Sequence, residues 1–237
     1  MSTFVLVHGA WHGGWCWYKT VPLLEKRGHT VIAPDLPSHG RDKTPLSMVS
    51  LSSYVDSVCR IVDAHPEPIV LVGHSLGGGI ITQTAEHRPE KIKVLVYIAA
   101  LLPKNGEAMF DLVQQDTDSL VLPNMEVLAD QAASIVREGA LKDLFYADCT
   151  DEDLALAKSC LVPQPIAPGR TPLMTTELNF GRVPRMYIEC LRDRAVTPSL
   201  QRKLYTSLPF WKIISMDTSH SPFFSASAEL AAHLASL

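Results

Sequence analysis

Apolar residues in this chain fall into short runs separated by stretches with helical spacing, and that alternation predicts the fold. Six runs read as strands: Thr3 to Val7, Thr30 to Ala33, Ile69 to Val72, Lys93 to Ile98, Arg185 to Leu191 and Lys212 to Met216. Each is short, rich in β-branched residues and flanked by turn or charged residues, as strands covered on both faces are. Between them lie predicted helices. One runs to about Arg27, with Pro22 in its first turn or kinking it and Gly28 as its stop. In the next, Leu51, Val55, Val58 and Val62 recur at helical spacing up to Pro66. A third follows Gly77 and must end near Arg88, because Pro89 disfavours helical geometry before it. Others start at Thr197-Pro198 and span Ser225 to Ser236. Strands alternating with helices predict an α/β fold with a parallel sheet, right-handed crossovers and helices on both faces.

The rhythm breaks between Lys104 and about Val183. Residues 105–182 therefore read as an insertion into a core made of 1–104 and 183–237, within one structural domain. Three helices are predicted there: Asn124 to Glu138 with Gly139 as stop, Thr150 to Cys160 with Asp153 completing a capping box, and one from Thr171 with Pro172 at its first position. A proline-rich link, Pro163 to Pro168, separates the last two.

The most informative stretch is Ile69-Val70-Leu71-Val72-Gly73-His74-Ser75-Leu76-Gly77-Gly78-Gly79-Ile80, a strand running through Gly-x-Ser-x-Gly into a helix. This is the pattern of a nucleophile elbow, which presents a serine on a tight turn. Gly73 and Gly77 lack the Cβ atoms that would crowd the turn. A serine that merely caps the helix is the plainer reading of the pentapeptide, and the preceding strand argues against it. In a sheet ordered 2-1-3-4-5-6, the first and third strands are neighbours, and the loop after His8 lies beside Ser75.

A serine hydroxyl is a weak nucleophile and needs a base. Of nine histidines, His220 in Asp217-Thr218-Ser219-His220-Ser221-Pro222 follows the last strand, on the same carboxyl-end rim as Ser75. The imidazole needs an acid to fix its tautomer, and Asp193 follows the fifth strand on that rim. Asp217 is too near His220 in sequence to reach it comfortably, and Glu189 lies inside a strand. An ion pair of Asp193 with Arg192 or Arg194 is the competing surface role. Donors for a developing oxyanion are expected from the backbone N–H groups of Leu76 and Ala10.

Composition narrows the partners. The chain has 237 residues, 46% of them hydrophobic and 19% charged, with a net charge of -4 and no basic run. Nucleic acid and anionic membrane surfaces need clustered Lys and Arg, so a small, largely uncharged molecule fits better. No apolar stretch is long enough to span a bilayer, and the chain enters its first strand without a basic leader, which reads as cytoplasmic. Five widely spaced cysteines without a C-x-x-C pair indicate neither a disulfide framework nor a zinc site and read as buried thiols. No metal or cofactor is called for, and nothing fixes an oligomeric state.

His8-Gly9-Ala10-Trp11-His12-Gly13-Gly14-Trp15, with Trp17, Lys19, Pro22 and Leu23-Leu24 behind it, resembles the opening of the plant methylesterase and hydroxynitrile lyase branch of the α/β hydrolases. The elbow and Glu152-Asp153-Leu154-Ala155-Leu156-Ala157 do too, and related bacterial esterases share the pattern. The resemblance covers the whole chain. It implies an α/β hydrolase fold, a triad of Ser75, Asp193 and His220, an oxyanion hole at Ala10 and Leu76, and a helical cap formed by the insertion. Serine rather than Asp or Gly precedes His220, a departure from the plant pattern.

The combined reading is a cofactor-independent serine carboxylesterase acting on small, apolar esters through an acyl-enzyme. Trp11, Phe110, Leu122, Met125, Phe145, Met174 and Phe180 are candidates to line its pocket. The same fold also serves as a small-molecule receptor. The lyases that resemble this chain carry Thr at the position of Gly9 and Lys directly after the histidine, where Ser221 stands here. Gly9 leaves room for an ester oxygen, unless it is glycine only because its turn needs an unusual backbone angle.

Overall fold

A computed structural model describes residues 1–128 and 132–237. Numbered in chain order, its strands are β1 (Thr3–Val7), β2 (Thr30–Ile32), β3 (Ile69–His74), β4 (Ile92–Ile98), β5 (Met125–Leu128), β6 (Ala133–Val136), β7 (Gln164–Pro165), β8 (Arg185–Cys190) and β9 (Lys212–Met216). The helices before the insertion are α1 (Thr20–Glu25), α2 (Leu51–Asp63) and α3 (Gly77–His87). Within it are α4 (Met109–Gln115), α5 (Val121–Asn124), α6 (Leu141–Phe145), α7 (Asp151–Cys160) and α8 (Ile166–Arg170). Then come α9 (Pro198–Thr206), α10 (Pro222–Ser225) and α11 (Ser227–Ala235).

Six strands form one parallel sheet in the order β2-β1-β3-β4-β8-β9. This is the order expected from sequence. The chain steps one way from β1 to β2 and the other way from β2 to β3, so right-handed crossovers put α1 and α2 on opposite faces. Accordingly α1 packs on α11, and α2 packs on α3. Every residue of β3 and β8 is buried, as strands covered on both faces require.

The core helices follow their sequence signals. Gly28 takes a φ of +84° just past α1, and Pro22 stands in the first turn of α1. Ser50 caps α2, accepting a bond from the Ser53 N–H at 3.1 Å. The closing helix forms as α11, two residues later than its expected start, and the short α10 precedes it across the non-helical Ala226.

The insertion departs most from expectation. Where one helix was predicted over Asn124 to Glu138, β5 and β6 form an antiparallel hairpin that β7 extends. Residues 129–131 of that predicted helix lie outside the described residues. Met125 to Leu128 pairs with Ala133 to Val136, and Ala133 and Ser134 pair in turn with distant Pro165 and Gln164, and this pairing overrides helix propensity. The cap is therefore mixed rather than helical. No helix starts at Thr171. The Leu173 N–H donates to the Glu107 carbonyl and its own carbonyl accepts from Gly106, which holds that segment extended. The preceding turn, Ile166–Arg170, is helical instead.

α7 forms as predicted with Thr150 as its cap, but Asp153 does not complete a capping box, its carboxylate accepting from the Thr150 hydroxyl rather than from the Thr150 N–H. Thr150 accepts from the Asp153 N–H at 3.2 Å, while the buried carboxylate binds Lys19 Nζ at 2.7 Å and the Tyr18 hydroxyl at 3.0 Å. The residue thus ties the insertion to the start of α1. Cys16, Cys59, Cys149 and Cys190 are buried thiols, whereas Cys160 is half-exposed. Among the described residues no helix is long and apolar enough to cross a membrane.

Candidate active site

Ser75 stands between β3 and α3 with a φ of +53°, in the left-handed region that non-glycine residues avoid. Its surroundings hold it there. The Ser75 N–H donates to the Ile98 carbonyl at 3.2 Å, and its own carbonyl accepts from Gly78 and Leu101, each at 3.0 Å. Strain of this kind, about 1–3 kcal/mol, persists only where neighbours over-determine the backbone. The glycines around it are dictated by close approach. A Cβ on Gly73 would lie 2.7 Å from the Gly77 carbonyl oxygen, and one on Gly77 would lie 2.8 Å from that of Val7. The first turn of α3 therefore rests directly on the end of β1.

The loop after β1 is as close. A Cβ on Gly9 would lie 2.9 Å from the Ser75 Cβ and 3.0 Å from His74 Nδ1. Gly9 does not have a positive φ, so contact with the elbow, not an unusual backbone angle, makes it glycine. The loop after β1 thus packs against the elbow, and Ala10, Ser75 and Leu76 line one cavity. Among the described residues neither the Ala10 nor the Leu76 N–H has an acceptor. Leu76 also stands at the N-terminus of α3, where the helix dipole favours negative charge.

Asp193 and His220 come from the loops after β8 and β9. His220 Nδ1 lies 2.7 Å from Asp193 Oδ2, both side chains being buried. The other carboxylate oxygen accepts from the N–H groups of Ala195 (2.7 Å) and Val196 (3.0 Å), and Gln201 Nε2 donates to Oδ2 at 3.3 Å. The competing ion pair is absent among the described residues, since Arg192 turns to Asp148 and Asp217 instead. Glu189 is occupied by Tyr205 and Ser215. His74, next to Ser75, donates Nε2–H to the His220 carbonyl at 2.8 Å, which fastens the histidine loop to the elbow. Asp148 of the insertion grips the same loop through the N–H and hydroxyl of Ser219.

The histidines around this group stay neutral. Burial depresses His8 and His74 well below the usual imidazole range, with His39 adding to the effect at His8 and His220 at His74. Burial also lowers His12 to about 4, against the opposing pull of its bond to the Ala10 carbonyl. Neutral rings with one N–H each suit their bonds. His8 Nδ1 donates to the Gly9 carbonyl (2.8 Å) while its Nε2 accepts from the Leu36 N–H (3.1 Å). His12 Nδ1 donates to the Ala10 carbonyl (2.7 Å), and the Tyr146 hydroxyl donates to its Nε2 (2.6 Å).

Ser75, Ala10 and Leu76 open into one apolar cavity roofed by the insertion. Trp11, Phe110, Met125 and Phe145 line it, as their sequence positions suggested. Phe145 also packs its ring 5.5 Å from that of His220. Three expected lining residues are elsewhere. Met174 is 65% exposed, its backbone clipped to Gln83 on α3. Phe180 is buried beneath the Arg185 guanidinium, 4.3 Å from its ring centroid. Leu122 is half-buried outside the cavity, while its neighbour Val121 faces in. The walls that sequence reasoning missed include Val113, Ile166 and Arg170, the last placed 5.1 Å over the Phe110 ring. Among the described residues no group of three or more His, Cys, Asp and Glu is gathered to hold a metal.

A doubly wound sheet carrying a strained serine at the β3–α3 turn defines the α/β hydrolase class. Residues 4–233 match the model of the Alpha/beta hydrolase family, and the chain belongs to that family. It is 36% identical to putative methylesterase 11, chloroplastic, of Arabidopsis thaliana over 94% of this chain and 60% of that protein. It is 31% identical to a pyrethroid hydrolase of Sphingobium wenxiniae over 99% of this chain and 87% of that one. The chain spans between half and two thirds of the length of the first three curated relatives it matches. Among solved structures, a mutant of tomato methylketone synthase I superposes with a TM-score of 0.90 at 28% identity, over 99% of this chain and 96% of that one.

Proposed function

We propose that this chain is a serine carboxylesterase for small, largely apolar esters. The observation that carries the reading is that the strained Ser75 turn, Ala10 and Leu76 line one apolar cavity, and that among the described residues the N–H groups of Ala10 and Leu76 are unengaged. In this mechanism Ser75 Oγ attacks the ester carbonyl while His220 Nε2 takes its proton. The Nδ1–H of His220 stays on Asp193, which stabilises the imidazolium. The carbonyl oxygen, now negative, is received by Ala10 and Leu76. Collapse expels the alcohol, protonated by His220, and leaves an acyl-Ser75. A water deprotonated by His220 then releases the acid and restores the serine.

Relatives named as methylesterases and as a pyrethroid hydrolase support hydrolysis as the reaction. The uncharged Ser221 supports it over cyanohydrin cleavage, which needs a cation for departing cyanide. Release of many equivalents of alcohol from short aryl esters is the test. A single stoichiometric burst with the ligand retained would replace the esterase by a receptor, and efficient mandelonitrile cleavage without ester turnover would replace it by a lyase.

A further inference from the structure

Trp11 follows the oxyanion donor Ala10, and the contacts that hold it come from the cap. Its φ of +63° lies in the left-handed region, which a tryptophan occupies only when its surroundings fix it. The Trp11 N–H donates to Gln164 Oε1 at 3.2 Å, its Nε1–H to the Ser134 carbonyl at 3.0 Å, and its carbonyl accepts from the Val162 N–H at 3.0 Å. Ser134 and Gln164 stand directly opposite each other in the β6–β7 ladder. One cross-strand pair of the small antiparallel sheet therefore clamps both the backbone and the ring of Trp11.

The Gln164 side chain is built into this position. It is buried, its Oε1 also lies 3.1 Å from His39 Nε2, and its Nε2 donates to the Tyr54 hydroxyl (3.2 Å) and the Pro165 carbonyl (3.0 Å). Every hydrogen-bonding position of the amide is thus used, and it cannot turn without breaking bonds to two elements of the core. The Ala10 N–H belongs to the Gly9–Ala10 peptide, and its direction follows from that peptide and from the Ala10–Trp11 peptide joined to it. A trans peptide points its N–H and C=O in opposite directions. His8 holds the Gly9 carbonyl, His12 holds the Ala10 carbonyl, and Gln164 holds the Trp11 N–H. Of these three clamps, only Gln164 belongs to the cap.

We propose that Gln164 is a positioning residue for the oxyanion hole, holding the Ala10–Trp11 peptide so that the adjoining Gly9–Ala10 peptide, whose carbonyl His8 holds, keeps its Ala10 N–H toward the cavity. This rests on the esterase reading above, in which Ala10 and Leu76 receive the oxyanion. The cap then does more than shape a pocket, since its β-sheet sets the geometry of a transition-state donor.

The test is Gln164→Met, of similar length but without acceptor or donor. Loss of a whole oxyanion donor costs about 10²–10³ in kcat, so a displaced one should cost about 10- to 100-fold, with KM changed by less than about threefold. A trifluoromethyl ketone analogue of the ester forms a tetrahedral adduct with an oxyanion, whereas the plain methyl ketone binds without one. The trifluoromethyl ketone should weaken in parallel with kcat and the methyl ketone should not. Gln164→Glu, which keeps a carboxyl acceptor, should recover most of the lost kcat. A folded Gln164→Met protein with unchanged kcat, or one that loses both ketones equally with a raised KM, would overturn the proposal. Should Gln164→Met not fold, Gln164→Asn, whose amide falls one methylene short of Trp11, is read by the same two ketones. Failure of the esterase reading itself would show in the natural protein, which would then bind the trifluoromethyl ketone no better than the methyl ketone.

Discussion

Replacing Asp193 by Asn tests the acid through its hydrogen bonds. One carboxylate oxygen accepts from Ala195 and Val196, and the other accepts from His220 Nδ1 and Gln201 Nε2. An asparagine must keep its carbonyl on the two backbone N–H groups, because an NH₂ there would face two donors. Its NH₂ then points at His220 Nδ1, which has to become an acceptor, and the ring proton moves to Nε2. That tautomer cannot take a proton from Ser75. A wrong tautomer in a Ser-His-Asp triad costs about 10⁴ in kcat, or about 5 kcal/mol of barrier. The same NH₂ faces the Gln201 NH₂ at a site where the carboxylate had accepted, which should cost about 1–3 kcal/mol of stability. Steady-state hydrolysis of an aryl ester, with a thermal melt on the same sample, reads both effects. A folded Asp193→Asn protein retaining more than about a tenth of the natural kcat would refute the assignment of Asp193.

Gly9→Ala places a Cβ 2.9 Å from that of Ser75, so the loop must lift from the elbow and carry the Ala10 N–H with it. A fall of about 10²-fold in kcat is expected in ester assays, and full activity would show that the contact is not needed. Acid should destabilise the protein through His12, whose pKa falls from an ordinary imidazole value to about 4 on folding. Between about 6.5 and 4 the unfolded chain binds a proton that the folded one does not, so stability rises with pH across that window. The shift corresponds to about 3 kcal/mol lost by pH 4, with His8 and His74 acting in the same direction. A melting temperature that stays flat from pH 7 to pH 4.5 would contradict this.

Much of the core could be read from sequence because its elements are locally encoded. Apolar strand runs, Gly28 after α1 and Pro89 after α3 each mark a boundary within a few residues of where it falls. The elbow is legible for the same reason, since strand, turn and helix are contiguous around Ser75. His220 and Asp193 could be named because a parallel sheet puts every loop that follows a strand on one rim. The cap was not legible because its pairing is long-range. Ser134 meets Gln164 across thirty residues, and nothing local in a proline-rich link marks Gln164 as a partner of Trp11. Met174 and Phe180 were misplaced for a related reason. Their apolar character does not say whether the segment after α8 turns toward the cavity or lies along α3.

The proposed esterase stands or falls on Ser75 as its nucleophile, and covalent labelling reads that residue. The protein is treated with a serine-directed phosphonate, digested and mapped by mass spectrometry, with Ser75→Ala run beside it in the ester assay. One equivalent of adduct on Ser75, turnover lost in step with labelling, and no turnover in Ser75→Ala are expected. An adduct on another residue, or undiminished ester hydrolysis by Ser75→Ala, would contradict that assignment.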